Sequence, residues 1–211
     1  TLFVVSDHGV APAHSQVYIN TILARQGLLA YQEWAGGTRA RPSRTKALAV
    51  GTGAGAHVYI NLRGRERGGI VPESDYTVVE NAVVAALEGV TDEAGQPVFG
   101  RIVRRDGLQA LGLNAATAGD LLVQAAPGFA INDQLGSSNT LAPVTQYGQH
   151  GYVAGLPEMH AFFFAVGRGV RPGVQVGPVH IVDLAPTVDQ LLGLKPPEPR
   201  AGRVLEEVLL P

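Results

Sequence analysis

The sequence predicts an α/β fold in which a mainly parallel sheet is flanked by helices. Two apolar runs, Leu2–Val5 and Ala161–Val166, have the composition of strands buried on both faces, as parallel strands covered by helices are. Apolar residues recur at helical spacing in two other segments, Tyr76–Leu87 and Leu184–Leu192. Buried strands combined with amphipathic helices are typical of this fold class.

Length and composition limit the classes of protein to consider. The 211 residues, 45% of them hydrophobic, fit one α/β domain with a small insertion. A formal charge of -2 and a pI near 6.3 argue against a nucleic-acid or anionic-membrane surface, which needs a basic excess. Because cysteine is absent, any metal ion must be held by His, Asp or Glu. No apolar run approaches the roughly 20 residues that cross a bilayer.

The beginning of the sequence indicates a part of a longer chain. Thr1 stands directly before an apolar strand, and the single methionine is Met159. We therefore expect residues before Thr1 in the gene product, and the localisation of the protein stays open.

The residues after the first strand have the chemistry of a metal site. Asp7 and His8 follow Leu2–Val5 directly, and ligands of open α/β sheets bind beyond the carboxyl ends of strands. Gly9 allows a sharp turn there. A carboxylate and an imidazole are both zinc ligands. The alternative is a capped turn, in which Asp7 accepts backbone N–H groups and His8 lies on the surface.

A helix is predicted next, with Ser15 as its cap and Gly27 at its end. Its apolar face would consist of Ile19, Ile22 and Leu23.

Four basic residues then occur in a segment rich in Gly and Pro: Arg39, Arg41, Arg44 and Lys46. They could meet an anionic substrate, or they could simply be a solvated loop. The small-residue run Gly51–Gly55 resembles a phosphate loop only superficially, because it lacks the Lys-Ser/Thr ending.

The middle of the chain has the pattern of a small α+β insertion. After a strand at 57–62, Ser74 or Asp75 can cap the helix that begins near Tyr76. An exposed strand at 98–104 and a short helical piece at 108–113 follow. We predict a core formed by residues 1–62 and 119–211, and a cap insertion over the site formed by residues 63–118.

The last third returns to core elements around a long loop. Strands are predicted at 120–124 and 129–131, and the Gly-, Ser- and Asn-rich segment 133–149 is predicted to be an irregular loop. His150 and Gly151 close that loop. Asp183 is expected to cap the last major helix, which Gly193 and Pro196-Pro197 would stop.

Two of the six histidines are the candidate ligands. His8 and His150 are each followed by glycine at the start or end of a loop. For the other four we expect structural or surface roles; they are His14, His57, His160 and His180.

Several motifs in this order resemble the alkaline phosphatase superfamily, in its type I phosphodiesterase and nucleotide pyrophosphatase branch. They are V-V-S-D-H-G, Y-I-N-L-R-G-R-E, G-D-L-L-V, G-Q-H-G-Y and V-D-L-A-P-T-V-D-Q-L-L-G-L-K-P-P. The resemblance covers nearly the whole chain, but only the C-terminal half of the family's catalytic domain. It implies an alkaline phosphatase-like fold and hydrolysis of phosphodiester or nucleotide pyrophosphate bonds in a small-molecule phosphate ester.

The resemblance also implies two divalent metal ions, commonly zinc with manganese as the alternative. Asp7 and His8 would bind one ion, and His150 would bind the other. The family's threonine or serine nucleophile and its upstream ligands have no counterpart here, so the chain alone is expected to be inactive.

Other functions fit the same residues. A phosphomutase, phosphonate hydrolase or sulfatase would share the scaffold, and a degenerate fold could act as a binding module without catalysis. The residues that precede Thr1 in the gene would separate these alternatives.

Overall fold

The computed structural model describes residues 1–51, 53–114, 117–195 and 201–211. They form two compact units, one of Thr1–Gly9 with His160–Pro211 and the other of Val10–Met159. Within the described residues, no helix combines the length and the apolar composition that a membrane span requires.

The strands of the described residues are β1 (Leu2–Val5), β2 (Ala11–Tyr18), β3 (Tyr31–Trp34), β4 (Gly37–Ala40), β5 (Ala47–Val50), β6 (Gly55–Ile60), β7 (Phe99–Arg104), β8 (Leu121–Ala125), β9 (Gly128–Asn132), β10 (Leu141–Pro143), β11 (Gly148–Gln149) and β12 (Phe163–Val166). The α-helices are α1 (Ile19–Arg25), α2 (Tyr76–Glu88) and α3 (Leu184–Leu192).

The main core of the larger unit lies on a four-stranded antiparallel sheet in the order β5-β6-β8-β7. Strand β6 alternates strictly, and its buried side chains Ala56, Val58 and Ile60 all belong to this core. Helix α2 contributes Val79 and Val83, which lie one turn apart on its buried face. The alternating residues of the strand and the helically spaced residues of α2 therefore pack together in one apolar layer.

A second sheet of the same unit is arranged around β2. Its neighbours β10 and β11 are antiparallel, whereas β9 is parallel to it. Helix α1 follows β2 directly and buries Ile19 through Leu23. Its end agrees with the prediction, because Gly27 has φ +67° and its N–H donates to the carbonyl of Ala24 at 3.0 Å.

The smaller unit contains β1, β12 and α3. The two strands are antiparallel, with Leu2 opposite Val166 and Val5 opposite Phe163. One face of this pair packs through Phe163 and Ala165 on a small buried cluster of Val170, Leu205 and Val208. The smaller unit therefore has an apolar core of its own.

The α/β class is confirmed, but the mainly parallel sheet is not. Among the named strands of the described chain, only β2 and β9 pair in parallel. The short β5–β6 and β3–β4 connections explain part of this, since strands joined by a few residues pair as antiparallel hairpins. The prediction that Leu2–Val5 is buried on both faces is also wrong, because Leu2 and Val4 are 56% and 41% exposed.

Neither Ser15 nor Asp183 forms the predicted side-chain cap, although Asp183 does occupy the residue before α3. Ser15 lies inside β2, whose pairing with β9 and β10 extends the chain up to Tyr18, and α1 has no side-chain cap. Asp183 precedes α3, but its carboxylate accepts from the backbone N–H groups of His180 at 3.0 Å and Arg203 at 2.9 Å. Of these two bonds, the one from His180 is local and belongs to the turn Ile181–Asp183 before α3, whereas the one from Arg203 is tertiary.

Helix α2 forms as predicted, without a side-chain hydrogen bond from Ser74 or Asp75 to its first turn. The loop predicted at 133–149 contains the short strands β10 and β11. Pro196-Pro197 and Thr52 of the Gly51–Gly55 run lie outside the described residues.

The division into a core of residues 1–62 and 119–211 and a cap of residues 63–118 stays a prediction. In the larger unit, β7 from the predicted cap pairs with β8 from the predicted core.

Candidate functional site

The Asp7-His8 turn begins where β1 ends. Ser6 fixes that end by two hydrogen bonds: its N–H donates to the carbonyl of Phe162 at 3.2 Å, and its hydroxyl accepts from the N–H of Phe162 at 3.0 Å. The side chain of Asp7 is 82% exposed and that of His8 is 37% exposed. A carboxylate and an imidazole are therefore presented side by side at the end of an anchored strand.

The ring of His8 is oriented as metal-binding histidines commonly are. Nδ1 lies 2.7 Å from the carbonyl oxygen of Gly9. Because a carbonyl can only accept, Nδ1 carries the hydrogen, and in the neutral ring Nε2 holds the lone pair. A backbone carbonyl that fixes the tautomer in this way is a frequent second partner of histidine ligands.

The donor pair fits a divalent ion. Nε2 of His8 lies 3.6 Å from Oδ1 of Asp7. Two ligand atoms at about 2.05 Å from a tetrahedral ion would be about 3.4 Å apart, so little movement is needed for both to bind the same zinc. The chemistry of the pair, one hard oxygen and one imidazole nitrogen, suits zinc or manganese.

His150 is presented at the end of β11, and its backbone is held by the segment before β6. The N–H of Ala54 donates to the carbonyl of His150 at 2.9 Å, and the amide of Gln124 donates to the carbonyl of Gly151 at 3.2 Å. Gly53, with φ +77°, allows this approach, because a Cβ there would lie 3.1 Å from the carbonyl oxygen of His150. Gly53 and Ala54 therefore support the backbone of the histidine.

The predicted ligands belong to different units. Asp7 and His8 are in the smaller unit and adjacent, whereas His150 is in the larger one. Their convergence stays a prediction. Within either unit, the described residues include no group of three or more His, Asp, Glu or Cys side chains placed to hold a metal ion.

Two of the other histidines have structural contacts. Nδ1 of His57 accepts from the N–H of Gly119 at 3.3 Å. His14 lies edge-on to Phe129, with ring centroids 5.0 Å apart, and its Nδ1 lies 3.1 Å from the hydroxyl of Ser15. These contacts agree with the structural roles expected from the sequence.

A buried carboxylate that sequence reasoning did not single out organises the larger unit. Asp120 is fully buried directly before β8. Arg65 donates to both of its oxygens at 2.7 Å, and Tyr76 and Arg105 each donate to Oδ1 at 3.0 Å. The N–H of Ile60 donates to Oδ2 at 2.6 Å. The only signal in the sequence was an acidic residue at the start of a buried strand.

Opposing influences set the ionisation of this cluster. Burial alone would raise the pKa of Asp120, but the hydrogen bonds from Arg65, Ile60 and Tyr76 lower it below its ordinary value. Burial and the negative charge of Asp120 raise the pKa of Tyr76. The hydrogen bond to Asp120 raises the pKa of Arg65. The stable state is thus a carboxylate surrounded by protonated donors.

Comparison with known families decides the identity of the chain. The family described as Type I phosphodiesterase / nucleotide pyrophosphatase matches residues 1–153. The chain belongs to this family. The matched region contains both the D-H-G and the G-x-H-G elements.

Individual relatives agree with this assignment. The protein named Bis(5'-adenosyl)-triphosphatase enpp4, from Mus musculus, is 43% identical over 49 residues, which are 23% of this chain and 11% of that protein. Its Homo sapiens counterpart gives the same identity and coverage.

Solved structures show the shared fold. Human ectonucleotide pyrophosphatase / phosphodiesterase 5 superposes with a TM-score of 0.65 at 17% identity, covering 100% of this chain and 45% of that one. The murine protein, as an inactive variant in complex with AMP, gives a TM-score of 0.65 at 18% identity, with 99% and 45% coverage. The chain thus spans a little under half the length of these solved relatives and shares their alkaline phosphatase-like fold.

Proposed function

We propose that this chain is the C-terminal part of the catalytic domain of a metal-dependent phosphodiesterase or nucleotide pyrophosphatase. Asp7 and His8 bind one divalent ion, and His150 binds a second. The observation that carries the proposal is the Asp7-His8-Gly9 turn, in which Nδ1 of His8 contacts the Gly9 carbonyl while Nε2 lies 3.6 Å from Oδ1 of Asp7.

Family membership supports this assignment, since the matched residues 1–153 include all three ligands. The chain spans 45% of the solved relatives, and this supports a site completed by residues outside the chain. One of those relatives was solved with AMP, which supports a small-molecule phosphate ester as substrate. Three ligands are too few for two catalytic zinc ions, which take about three protein ligands each. The remaining ligands and the nucleophile are proposed to lie outside this chain.

The roles of the residues follow from their contacts. The exposed carboxylate of Asp7 supplies negative charge and an oxygen ligand. His8 supplies Nε2 as the ligand atom, because its Nδ1 is engaged by the carbonyl of Gly9. His150 is positioned through its own carbonyl by Ala54. When bound, the two ions would polarise the phosphoryl oxygens and lower the pKa of the nucleophile.

The test is an assay of the complete gene product with bis(4-nitrophenyl) phosphate, with zinc or manganese supplied. We expect the variants Asp7→Ala, His8→Ala and His150→Ala each to lose most of the turnover while keeping the wild-type circular dichroism. His160→Ala is the matched control, since His160 is exposed and has no assigned ligand role. Wild-type turnover in any of the three ligand variants would contradict the assignment of that residue.

A further inference from the structure

A pocket of about 430 Å³ in the larger unit is lined by three arginines and by no acidic residue. The arginines are Arg25, at the end of α1, Arg41, which precedes the short 3-10 turn Pro42–Arg44, and Arg44, the last residue of that turn. The chain as a whole has more acidic than basic residues, 18 against 16. A pocket whose charged groups are all cationic is therefore a local departure from the composition.

The second arginine-lined pocket of this unit shows the contrast. It measures about 640 Å³ and is also lined by three arginines, which are Arg65, Arg104 and Arg105. There each guanidinium has a carboxylate partner: Arg65 and Arg105 contact Asp120, and Arg104 contacts Glu80. The positive charges of that pocket are therefore balanced by carboxylates of the protein itself. In the smaller pocket, Arg41 and Arg44 have no side-chain hydrogen bond or ion pair to any described residue.

Hydrogen bonds among the residues around the smaller pocket fix its walls. Arg25 donates to the hydroxyl of Thr140 and to the carbonyl of Ser138, the latter at 2.7 Å, and so ties the loop to α1. The hydroxyl of Thr21 donates to the carbonyl of Ser137 at 3.2 Å. The opposite wall is held by the N–H of Arg41, which donates to the carbonyl of Ala30 at 2.8 Å. The pocket is thus formed before any ligand arrives.

The chemistry of the lining suits a phosphoanion. Guanidinium groups bind phosphate oxygens through paired N–H donors, and a di- or polyphosphate carries enough charge to match three of them. Two hydroxyl groups, those of Ser137 and Ser138, line the same pocket. The nearest acidic residue along the hairpin, Glu33, does not line it.

An aromatic ring stands beside these cations. Tyr31, the first residue of β3, lines the pocket and is 40% exposed. A flat, partly apolar group attached to the phosphates could pack on it, as bases pack on aromatic side chains.

We propose that this pocket of the larger unit is a binding site for a small molecule carrying a di- or polyphosphate group. Arg25, Arg41 and Arg44 contact the phosphate oxygens. Inorganic diphosphate and a nucleoside diphosphate share this chemistry, and Tyr31 distinguishes them. The proposal stands independently of the proposed function, because it requires neither bound metal nor turnover.

The experiment is calorimetric titration of the full chain with inorganic pyrophosphate and, separately, with ADP. EDTA is present throughout, so that a metal-dependent site cannot bind either probe. The test variant is Arg41→Gln with Arg44→Gln, whose exposed side chains can be replaced without removing a described contact. The control is Arg67→Gln with Arg101→Gln, two exposed arginines outside the pocket, which gives the same change of net charge. Tyr31→Leu is titrated with both probes.

We expect saturable binding of both probes to the wild type. The test variant should raise the Kd at least about tenfold, which corresponds to about 1.4 kcal/mol. The control should stay within about twofold. Weakening by Tyr31→Leu for ADP alone identifies a nucleotide, and equal behaviour of both probes identifies the phosphoanion alone. Absence of saturable binding, or equal loss in test and control variants, overturns the proposal.

Discussion

Arg65 holds Asp120 by two parallel hydrogen bonds, Nη1 to Oδ1 and Nη2 to Oδ2, both 2.7 Å long. The two residues are 55 positions apart and come from separate motifs, R-G-R-E and G-D-L-L-V. Tyr76 at the start of α2 and Arg105 after β7 bind the same carboxylate. One buried charge thus ties a loop, a helix and two strands together.

Replacing Asp120 by Asn should destabilise the larger unit. Asn keeps one acceptor but loses the charge that the two arginines surround, and breaking a buried ion pair costs about 3 kcal/mol. The measurement is urea unfolding of the full chain at neutral pH. Asp106→Asn, an exposed acid in the adjoining pocket, is the control and should change the free energy of unfolding by less than about 0.5 kcal/mol. Equal stability of the two variants would show that Asp120 contributes nothing specific.

The same carboxylate should produce acid sensitivity. The pKa of Asp120 is lowered in the folded protein, so its contribution to stability is fully present above the ordinary value of 3.8 and is lost as the pH falls through the folded pKa. The difference in free energy of unfolding between wild type and Asp120→Asn should therefore shrink as the pH is lowered below 3.8. A difference that does not change with pH would mean that the carboxylate is not the ionised partner.

Gly53→Ala should disturb the backbone of His150. The added Cβ would lie 3.1 Å from the carbonyl oxygen of His150, at a φ of +77° that alanine tolerates poorly. We expect a loss of about 1–2 kcal/mol of stability and, in the complete protein, a reduced turnover.

Gly95→Ala is the control for the strain of a positive φ alone, because Gly95 has φ +78° and no atom lies within 4 Å of the added Cβ. Equal effects of the two substitutions on stability and turnover would remove the role assigned to Gly53.

The chain by itself should hydrolyse no phosphodiester at a useful rate. No residue of this sequence is assigned as nucleophile, and Asp7, His8 and His150 are only half of a two-metal ligand set. The measurement is turnover of bis(4-nitrophenyl) phosphate by the purified chain with added zinc, beside the complete protein. Comparable metal-dependent rates would show that the catalytic residues have been placed wrongly.

The purified chain should also self-associate through the open face of the β1–β12 pair. Leu2 lies opposite Val166 and Val4 opposite Phe164, and all four side chains are 41–57% exposed. A continuous apolar strand face of this kind favours association. Light scattering should report oligomers that Phe164→Lys reduces.

The control for this substitution is Val78→Lys, which places the same charge on α2, where Val78 is 68% exposed. A monomeric wild-type chain would exclude the predicted association.

The sequence alone determined the features whose causes are local. Helix α2 and strand β6 follow from the spacing of their apolar residues, and Gly27 ends α1 because the turn there needs a positive φ. The D-H-G turn followed from an apolar strand that stops at a polar residue, and with the other motifs it indicated the family that the comparisons confirm.

The tertiary structure decided everything that depends on residues distant in the sequence. Ser15 could cap a helix, yet pairing with β9 and β10 holds it in a strand. The sequence near Asp120 does not predict that Arg65 will bind it. The sequence near His150 likewise does not predict that Ala54 will hold its backbone. The local sequence pattern also could not predict whether strands pair in parallel, since an apolar run has the same composition in a parallel and in an antiparallel pair. Such contacts form only when the whole chain buries its apolar surface, and the free energy of that burial outweighs the weaker local preferences.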